Sequence, residues 1–271
     1  MINVQQGFQS VLFQIIQTNC RVFHIGNRMS SVFKYCAPKQ HYFDILRANQ
    51  VNCSHPRYLN DRYELADYLI EPYQDFCLAI GWGERHSDLF DNQAIASFNN
   101  ANVADNLKMW REYAEIGAGF AVEYDKEMMG DALARTYSMP VYIQDVMYID
   151  GHVNLNDVDY SFYDCGVRYS VQNCIKAWKK DGNLMPLDRL LRHLRLTKDQ
   201  TLWAQESESR IVIGLINQSP HLHKTLFGYN LDLRPGTIKS ITLGYNIDNV
   251  NRRVIEGIAR ELSVPVIPFS Y

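Results

Sequence analysis

Hydrophobic residues along this chain come mostly in short runs bounded by turn-forming residues, and several runs alternate apolar with polar positions. Alternation with a period of two is typical of half-buried β-strands, and short apolar runs between turns are typical of buried strands. The pattern predicts strands at residues 32–36, 51–54, 76–80, 94–98, 119–124, 141–148, 206–213, 238–243 and 264–267.

Other segments carry apolar residues at helical spacing, which predicts amphipathic helices. Asp105 is placed to cap one helix and Gly117 to end it. The polar, aspartate-rich residues 150–165 predict a surface excursion. Helices are predicted at residues 6–18, 42–49, 105–116, 167–180, 187–196 and 249–262, the last with Val250, Val254, Ile258 and Leu262 on one side.

The order of these elements predicts an α+β fold of many short strands with peripheral helices. The last three elements form a strand, a helix and a strand, which predicts a closing β-α-β unit. Residues 1–30 are predicted to be an N-terminal helical extension and residues 31–271 a single domain, because no low-complexity linker and no internal repeat divides them.

Composition places this chain among folded globular proteins, with 46% hydrophobic and 12% aromatic residues in 271. The net charge of −3 gives no global field that favours nucleic acid or an acidic membrane. The first residues lack the basic start of a secretory signal, and no uninterrupted apolar stretch reaches about 18 residues. We therefore expect a cytoplasmic protein with no membrane partner, and the six cysteines, none in a C-x-x-C pair, are expected to be free thiols.

The candidate chemistry lies at Glu206, Glu208 and Arg210, which alternate with serines just before an apolar strand. If the strand begins at or before Glu206, both carboxylates and the guanidinium project from one face. The alternative is an edge strand whose solvent face carries charge, with Arg210 neutralising Glu208.

Several common enzyme classes are disfavoured because their motifs are missing. The chain contains no P-loop, no HExxH zinc-protease motif and no GxSxG nucleophile elbow. His221 and His223 would suit a metal only with carboxylates supplied from elsewhere, so a solvated loop is favoured and no metal is expected.

Four stretches in order resemble a bacterial family of unknown function that is similar to ADP-ribosyltransferases. One departure is at Arg62, where the family pattern has proline, although Asn60, Asp61 and Glu64 match that pattern. Together the stretches span about two-thirds of the chain, and they are FKY at residues 33–35, SHPRYLNDRYE at 54–64, LKMWREYAEIGAGFAVE at 107–123 and KDQTLWAQESESR at 198–210.

This resemblance implies a split, twisted mixed β-sheet with a cleft that binds nicotinamide adenine dinucleotide (NAD) as substrate, without a metal. By position, Lys34 or Tyr35 would be the first site residue, Ser54 the second, and Glu206 with Glu208 the third. Asn60 and Asp61 would lie in a loop that displays binding groups.

The reaction that it implies passes through an oxocarbenium-like ribose, which a nearby carboxylate stabilises. Glu208 is assigned to the ribose and Glu206 to the acceptor nucleophile, with Arg210 steadying the pair. One such effect is worth on the order of 3 kcal/mol, so Glu208→Gln is expected to abolish turnover nearly completely while the fold stays intact.

Further binding roles follow from the charge of the substrate, and each has a structural alternative. The cationic nicotinamide ring would stack on Tyr35, Trp110 or Tyr113, of which Trp110 also fits a core position on its helix. Lys34 would meet the diphosphate or face solvent, and Ser54 would hold ribose or simply end a strand.

The function expected from the resemblance is a mono-ADP-ribosyltransferase, in a toxin or antiphage role, with an antitoxin or inhibitor protein as a further partner. Its acceptor is nucleic acid or protein; six basic residues on two predicted helices favour nucleic acid unless they are solvated helix faces. The alternatives are a non-catalytic module that binds a nucleotide or a partner, and a glycohydrolase whose acceptor is water. The basic residues are Lys176, Lys179, Lys180, Arg189, Arg192 and Arg195.

Overall fold

The structure, a computed structural model, describes residues 31–55, 58–59, 93–101, 103, 106–130, 141–149, 161–164, 167–181, 189–190, 193, 196–214 and 221–270. Fourteen strands lie in these residues. The strands are β1 Ser31–Cys36, β2 Gln50–Ser54, β3 Gln93–Asn99, β4 Phe120–Asp125, β5 Val141–Asp145, β6 Met147–Ile149, β7 Ser161–Asp164, β8 Val167–Ser170, β9 Thr197–Asp199, β10 Glu208–Gly214, β11 Leu222–Lys224, β12 Gly228–Asp232, β13 Ile238–Leu243 and β14 Val266–Pro268.

The helices of the described residues are fewer and mostly short. A 3₁₀ turn, Ala204–Glu206, directly follows the fourth of them. The helices with both ends described are α1 Gln40–Arg47, α2 Leu107–Tyr113, α3 Val171–Asp181, α4 Gln200–Trp203 and α5 Asn249–Leu262, and residues 126–130 are also helical. None of them is long and apolar enough to cross a membrane.

The chain divides into two compact units. One comprises residues 1–28 and 157–193, and the other residues 29–156 and 194–271. In the first unit β7 and β8 form an antiparallel pair, and α3 follows β8 directly. The organisation of residues 31–271 as a single domain stays a prediction, and the predicted helix at 6–18, the predicted strand at 76–80, Asn60 and Asp61 lie outside the described residues.

Ten of the described strands in the second unit form one mixed sheet. Its main path runs β11-β12-β2-β3-β1-β4-β13-β14, and β10 lies between β3 and β5. The pairs are antiparallel except β13–β14, which is the parallel pair of the closing β-α-β unit. A large mixed sheet with few helices confirms the α+β class.

Strand β3 is the point at which this sheet branches. Along one edge, β3 pairs with the whole length of β10. On its other edge, β2 meets it at Ile95 through Ser54, and β1 meets it at Asn99 through Phe33. The middle of that edge therefore lies between two neighbouring strands that each pair with only one end of β3.

The two faces of the sheet are covered by different hydrophobic clusters. The larger cluster joins β1 to β4, β10 and β13 with α1 and α5, and Ile211, Ile241 and Ile255 are fully buried in it. The smaller cluster is aromatic and contains Tyr35 and Trp110. Burial on both faces of one strand is typical of a central strand in a layered fold.

Most strand predictions are confirmed, whereas several boundaries are wrong. Strands β1 to β4 and β13 and helix α5 lie where the pattern placed them. Residues 167–170, predicted as helix, form β8, and Ser161–Asp164 in the predicted excursion is its partner. Of the predicted stripe on α5, Ile258 is fully buried and Val254 and Leu262 pack partly buried against the core, whereas Val250 is 72% exposed. Ile255 and Ala259 also face inward.

Candidate functional site

One face of the branched sheet carries several of the predicted site residues together. Partners in an antiparallel pair share a face, and side chains alternate faces along each strand. Glu208 is paired with Asn99, and Asn99 with Phe33, so these three lie in one row across β10, β3 and β1. Tyr35 and Arg210, two residues along their strands, lie on this same face. We call it the acidic face.

The two glutamates meet at the ammonium group of Lys198. Its Nζ lies 3.0 Å from Glu206 Oε2 and 2.6 Å from Glu208 Oε2. Arg210 Nε donates to Glu208 Oε1 at 2.7 Å, and its second nitrogen donates to Oε2 at 3.1 Å. Both carboxylates and both cations are at most 8% exposed. The arrangement is a buried cluster of two negative and two positive charges.

The strand period does not bring the two glutamates together. Strand β10 begins at Glu208, and Glu206 is the last residue of the 3₁₀ turn. Ser207 between them is left-handed with φ of 44°, a conformation that non-glycine residues adopt rarely and often at functional sites. The strand therefore does not begin at or before Glu206, as the prediction required. The two carboxylates are brought together by a shared cation and not by a shared strand face.

Neighbouring elements hold the main chain and the side chain of this segment. Tyr113, at the end of α2, donates its hydroxyl to Glu206 Oε1 at 2.9 Å. The Asn99 side-chain amide donates to the Glu206 carbonyl, and the Glu208 backbone N–H donates to the Tyr148 hydroxyl at 2.9 Å. Three elements, α2, β3 and β6, thus hold the segment that carries the two carboxylates.

Trp203 provides an aromatic face beside the cluster. The Lys198 ammonium lies 4.8 Å from the centroid of its ring, and that of Lys108 lies 5.9 Å from it. A cation over an indole ring is stabilised by the quadrupole of the ring, more so when it is desolvated. Lys198 is therefore held by two carboxylates and an aromatic face at once.

The charge state of Glu208 is set by competition between burial and its cations. Burial raises the pKa of a carboxyl because it disfavours the charged form. Arg210 and Lys198 outweigh burial and lower the pKa of Glu208 to about 2. Glu208 is therefore a carboxylate throughout the physiological pH range. Burial raises the pKa of the nearby Tyr148 to about 12, so this hydroxyl keeps its proton.

A lowered pKa in the folded state makes stability depend on pH in a defined direction. Because the pKa of Glu208 is about 2 in the fold and 4.5 ordinarily, its contribution is present above pH 4.5 and lost as the pH falls towards 2. We expect a loss of roughly 3 kcal/mol over this window, measured by urea unfolding at a series of pH values. In Glu208→Gln the slope should be shallower; parallel curves for the two proteins would contradict the assignment.

Tyr35 and Trp110 form the aromatic part of the acidic face. Their rings meet edge to face with centroids 5.2 Å apart, and the Phe269 ring also meets the indole edge to face, at 5.4 Å. Trp110 is fully buried and donates its indole N–H to the Val103 carbonyl, so it occupies the core position that its helix spacing allows. The Tyr35 hydroxyl is buried with no hydrogen-bond partner.

Lys34 lies on the opposite face of the sheet from the carboxylates. Its Nζ donates to the Ser97 carbonyl at 3.4 Å and lies 5.4 Å from the centroid of the Phe98 ring. Ser97 lies between the positions at which β1 and β2 pair with β3. Lys34 therefore gives a hydrogen-bond donor to a backbone carbonyl in this gap between the two strands. Of the two alternatives for the first site residue, Tyr35 is the one that shares a face with Glu208.

Ser54 ends β2 on the same face as Glu208 but at a distance. Its hydroxyl lies 3.2 Å from Asn52 Oδ1. Ser54 pairs with Ile95, which is four residues from Asn99 along β3. Strands β2 and β10 lie on opposite edges of β3. Strand spacing and rise put the Cα atoms of Ser54 and Glu208 roughly 17 Å apart, against roughly 12 Å for Tyr35 and Glu208.

The reverse face of β10 is held by a second polar cluster. Lys126 donates to the Ser209 hydroxyl at 3.0 Å and pairs with Asp145, which also contacts that hydroxyl. Ser209 is fully buried and lies 2.8 Å from Asn100 Oδ1. These bonds hold the start of β10 from the face opposite the carboxylates, through Ser209, the residue between Glu208 and Arg210.

The remaining candidates lie elsewhere in the fold. His223 Nε2 is 2.9 Å and His221 Nδ1 3.6 Å from the Asp232 carboxylate on the neighbouring strand. Within the described ranges, no group of three or more His, Cys, Asp or Glu side chains is placed to hold a metal ion. Cys36, Cys53 and Cys174 are buried free thiols, as the sequence predicts for the cysteines.

Sequence reasoning assigned no role to three residues that the fold places at the carboxylates. They are Lys198, Tyr148 and Asn99, and only Lys198 lies within one of the four resembling stretches. The signal that could have identified Lys198 is its spacing of eight residues from Glu206 across a short helix, but the sequence does not show that this helix reverses the chain. Long-range pairing alone brings in Asn99 and Tyr148.

Comparison of the sequence with models of protein families gives no match, and comparisons with curated proteins and with solved structures give none either.

Proposed function

We propose that this protein is a mono-ADP-ribosyltransferase that transfers ADP-ribose from NAD to a macromolecular acceptor, with Glu208 and Glu206 as the catalytic pair. The observation that carries the proposal is the pair itself, buried, joined at one cation and placed on the face that also holds Tyr35. Paired carboxylates whose charges are set by specific partners are a recurring feature of sites for acid–base and glycosyl chemistry.

The reaction breaks the bond between ribose C1′ and the nicotinamide nitrogen. The bonding electrons leave with nicotinamide, which departs as a neutral molecule, and positive charge develops on the ribose. Glu208, ionised at any physiological pH, lowers the energy of that charge without a proton transfer. We assign it to the ribose for this reason.

The second half of the reaction needs a group that takes a proton from the acceptor. An ionised carboxylate offers about four acceptor positions, of which Glu206 uses one each for Tyr113 and Lys198. Glu208 uses three, for Arg210 twice and Lys198 once. The larger spare capacity of Glu206 supports its role as the base, while the acceptor oxygen or nitrogen forms the new bond to C1′.

The fold proposed for this function is the split sheet of the ADP-ribosyltransferase type. Its support is the branching at β3, where β1 and β2 pair with opposite ends of one edge. Tyr35, from the first of these strands, is the proposed nicotinamide contact, since its buried hydroxyl is without a partner. Ser54 stands farther away and would reach only the distal part of the dinucleotide.

A second candidate function is a non-catalytic module of the same fold that binds a nucleotide or a partner protein. One observation favours it: Glu206 and Glu208 are only 4% and 5% exposed, and all four of their carboxylate oxygens are engaged. Such a module would bind NAD, release no nicotinamide in any extract and keep its binding when either glutamate is replaced by glutamine.

The experiment that tests the proposal follows a label from the adenylate half of NAD. The purified protein is incubated with labelled NAD and a whole-cell extract, and the products are digested separately with protease and nuclease. We expect label on a macromolecule, lost to nuclease for a nucleic-acid acceptor and to protease for a protein. Free ADP-ribose alone would identify a glycohydrolase, and intact NAD would contradict both enzymatic functions.

A further inference from the structure

We infer that Lys198 is a positioning residue, which holds the Glu206 and Glu208 carboxylates side by side and does not itself need to touch the substrate. Its place in catalysis rests on the proposed function, whereas its effect on the two carboxylates does not.

Lys198 is the group that joins two carboxylates on different elements. Glu206 belongs to the 3₁₀ turn and Glu208 to β10, with a left-handed residue between them. Lys198 comes from β9, which pairs in parallel with β6, and it reaches both carboxylates within 3.0 Å. Without a cation at this position, two buried like charges would face one another, and one carboxyl would take up a proton.

Arg210 does not join the two glutamates, because its hydrogen bonds to this pair are directed at one of them. Both of the hydrogen bonds between its guanidinium and the pair go to Glu208. Glu206 receives Lys198 as its cation and Tyr113 as a neutral donor. Removal of Lys198 therefore leaves Glu206 buried beside a tyrosine, with no charged partner among the described side chains.

The position of the ammonium is fixed by its surroundings, as a positioning role requires. It is 8% exposed and lies 4.8 Å from the centroid of the Trp203 ring. The described ionisable groups that face the pair are Tyr113 from α2, Tyr148 from β6, Lys198 from β9 and Arg210 from β10. Burial raises the pKa of Tyr148 to about 12, and among the described residues the cations at Glu208 are Lys198 and Arg210.

The test is a titration of the two carboxyl groups by NMR in protein labelled with ¹³C at the glutamate side-chain carboxyl. Glu206→Gln and Glu208→Asp, which keeps the charge, assign the two signals. In the wild-type protein we expect the Glu208 signal to stay constant between pH 7 and about pH 4. In Lys198→Met the titration midpoint of Glu208 should rise by about 1 pH unit or more, because one of its two cations is lost.

Three further variants make this result decisive. Lys198→Arg should restore the wild-type titration. Lys239→Met removes a lysine of β13 whose partner is Glu123 on β4, at 3.5 Å, and should leave the Glu208 signal unchanged. If Lys198→Met does not fold, Lys198→Gln supplies the titration, since its amide keeps a hydrogen bond without the charge. Wild-type titration curves in Lys198→Met or Lys198→Gln would overturn the inference.

A kinetic readout separates this inference from the proposed function. If the protein releases nicotinamide, the acidic limb of its pH–rate profile should move to higher pH in Lys198→Met and return in Lys198→Arg. A loss of rate that is equal at every pH would make Lys198 merely structural. If no variant and no wild-type sample releases nicotinamide, the proposed function fails, and the NMR titration still decides the role of Lys198.

Discussion

Glu208→Gln is expected to lower the free energy of unfolding by about 3–5 kcal/mol, because it removes the carboxylate that two buried cations share. Arg210 donates two hydrogen bonds to this carboxylate, and Lys198 lies 2.6 Å from it. A neutral amide keeps the shape but not the charge. Urea unfolding at pH 7 measures this loss. The sequence alone led us to expect that the substitution leaves the fold intact, and the burial of the cluster changes that expectation to a loss of stability.

Its matched control is an exposed ion pair in the same unit. Glu261 Oε2 lies 3.3 Å from Arg47 Nε, with both side chains roughly half exposed. Exposed pairs contribute at most about 1 kcal/mol, so Glu261→Gln should change stability by no more than that. Equal effects of the two substitutions would show that the Glu208 cluster is not desolvated as the fold indicates.

Trp110→Ala is expected to cost about 3–5 kcal/mol, the range for truncating a fully buried tryptophan. The indole ring packs against Tyr35 and Phe269 at centroid distances of 5.2 and 5.4 Å, and its N–H bonds to the Val103 carbonyl. The measurement is a thermal or urea unfolding curve. A loss of less than about 1 kcal/mol would place the ring outside the core.

Trp110→Phe separates packing from ligand binding at this position. Phenylalanine keeps an aromatic ring but loses the hydrogen bond to Val103, so a smaller loss of about 1–3 kcal/mol is expected. If Trp110 acts only through packing, this variant binds NAD as the wild type does, by calorimetry. A loss of NAD binding with little loss of stability would return Trp110 to the substrate contacts that the resemblance implies.

Much of the sheet could be predicted because its strands carry local signals. Alternation and short apolar runs located β1 to β4, β10 and β13, and the apolar spacing of α5 located the closing helix. Boundaries failed where tertiary pairing overrides local pattern. Residues 167–170 have helical periodicity, but β7 gives them a partner strand. On α5 the predicted stripe holds for Val254, Ile258 and Leu262 but not for Val250, which lies in the first turn of the helix and is exposed.

The candidate site was predictable in composition but not in geometry. Glu206, Glu208 and Arg210 stand out locally, and Glu208 with Arg210 does follow the strand period. The contact of Lys198 with both glutamates depends on how α4 and the 3₁₀ turn reverse the chain. The choice between Lys34 and Tyr35 depends on the pairing of Phe33 with Asn99, which the sequence of β1 does not encode by itself.

The central claim is that Glu206 and Glu208 act as a catalytic pair on the bond between nicotinamide and ribose. The most direct measurement is the rate of nicotinamide release from NAD by the purified protein with cell extract, for wild type, Glu206→Gln, Glu208→Gln and the control Glu261→Gln. All four are compared at a temperature where each is folded by circular dichroism. We predict a loss of about a hundredfold or more in both site variants and wild-type rates in the control. Undiminished release in both site variants, or none from wild type, would contradict the account.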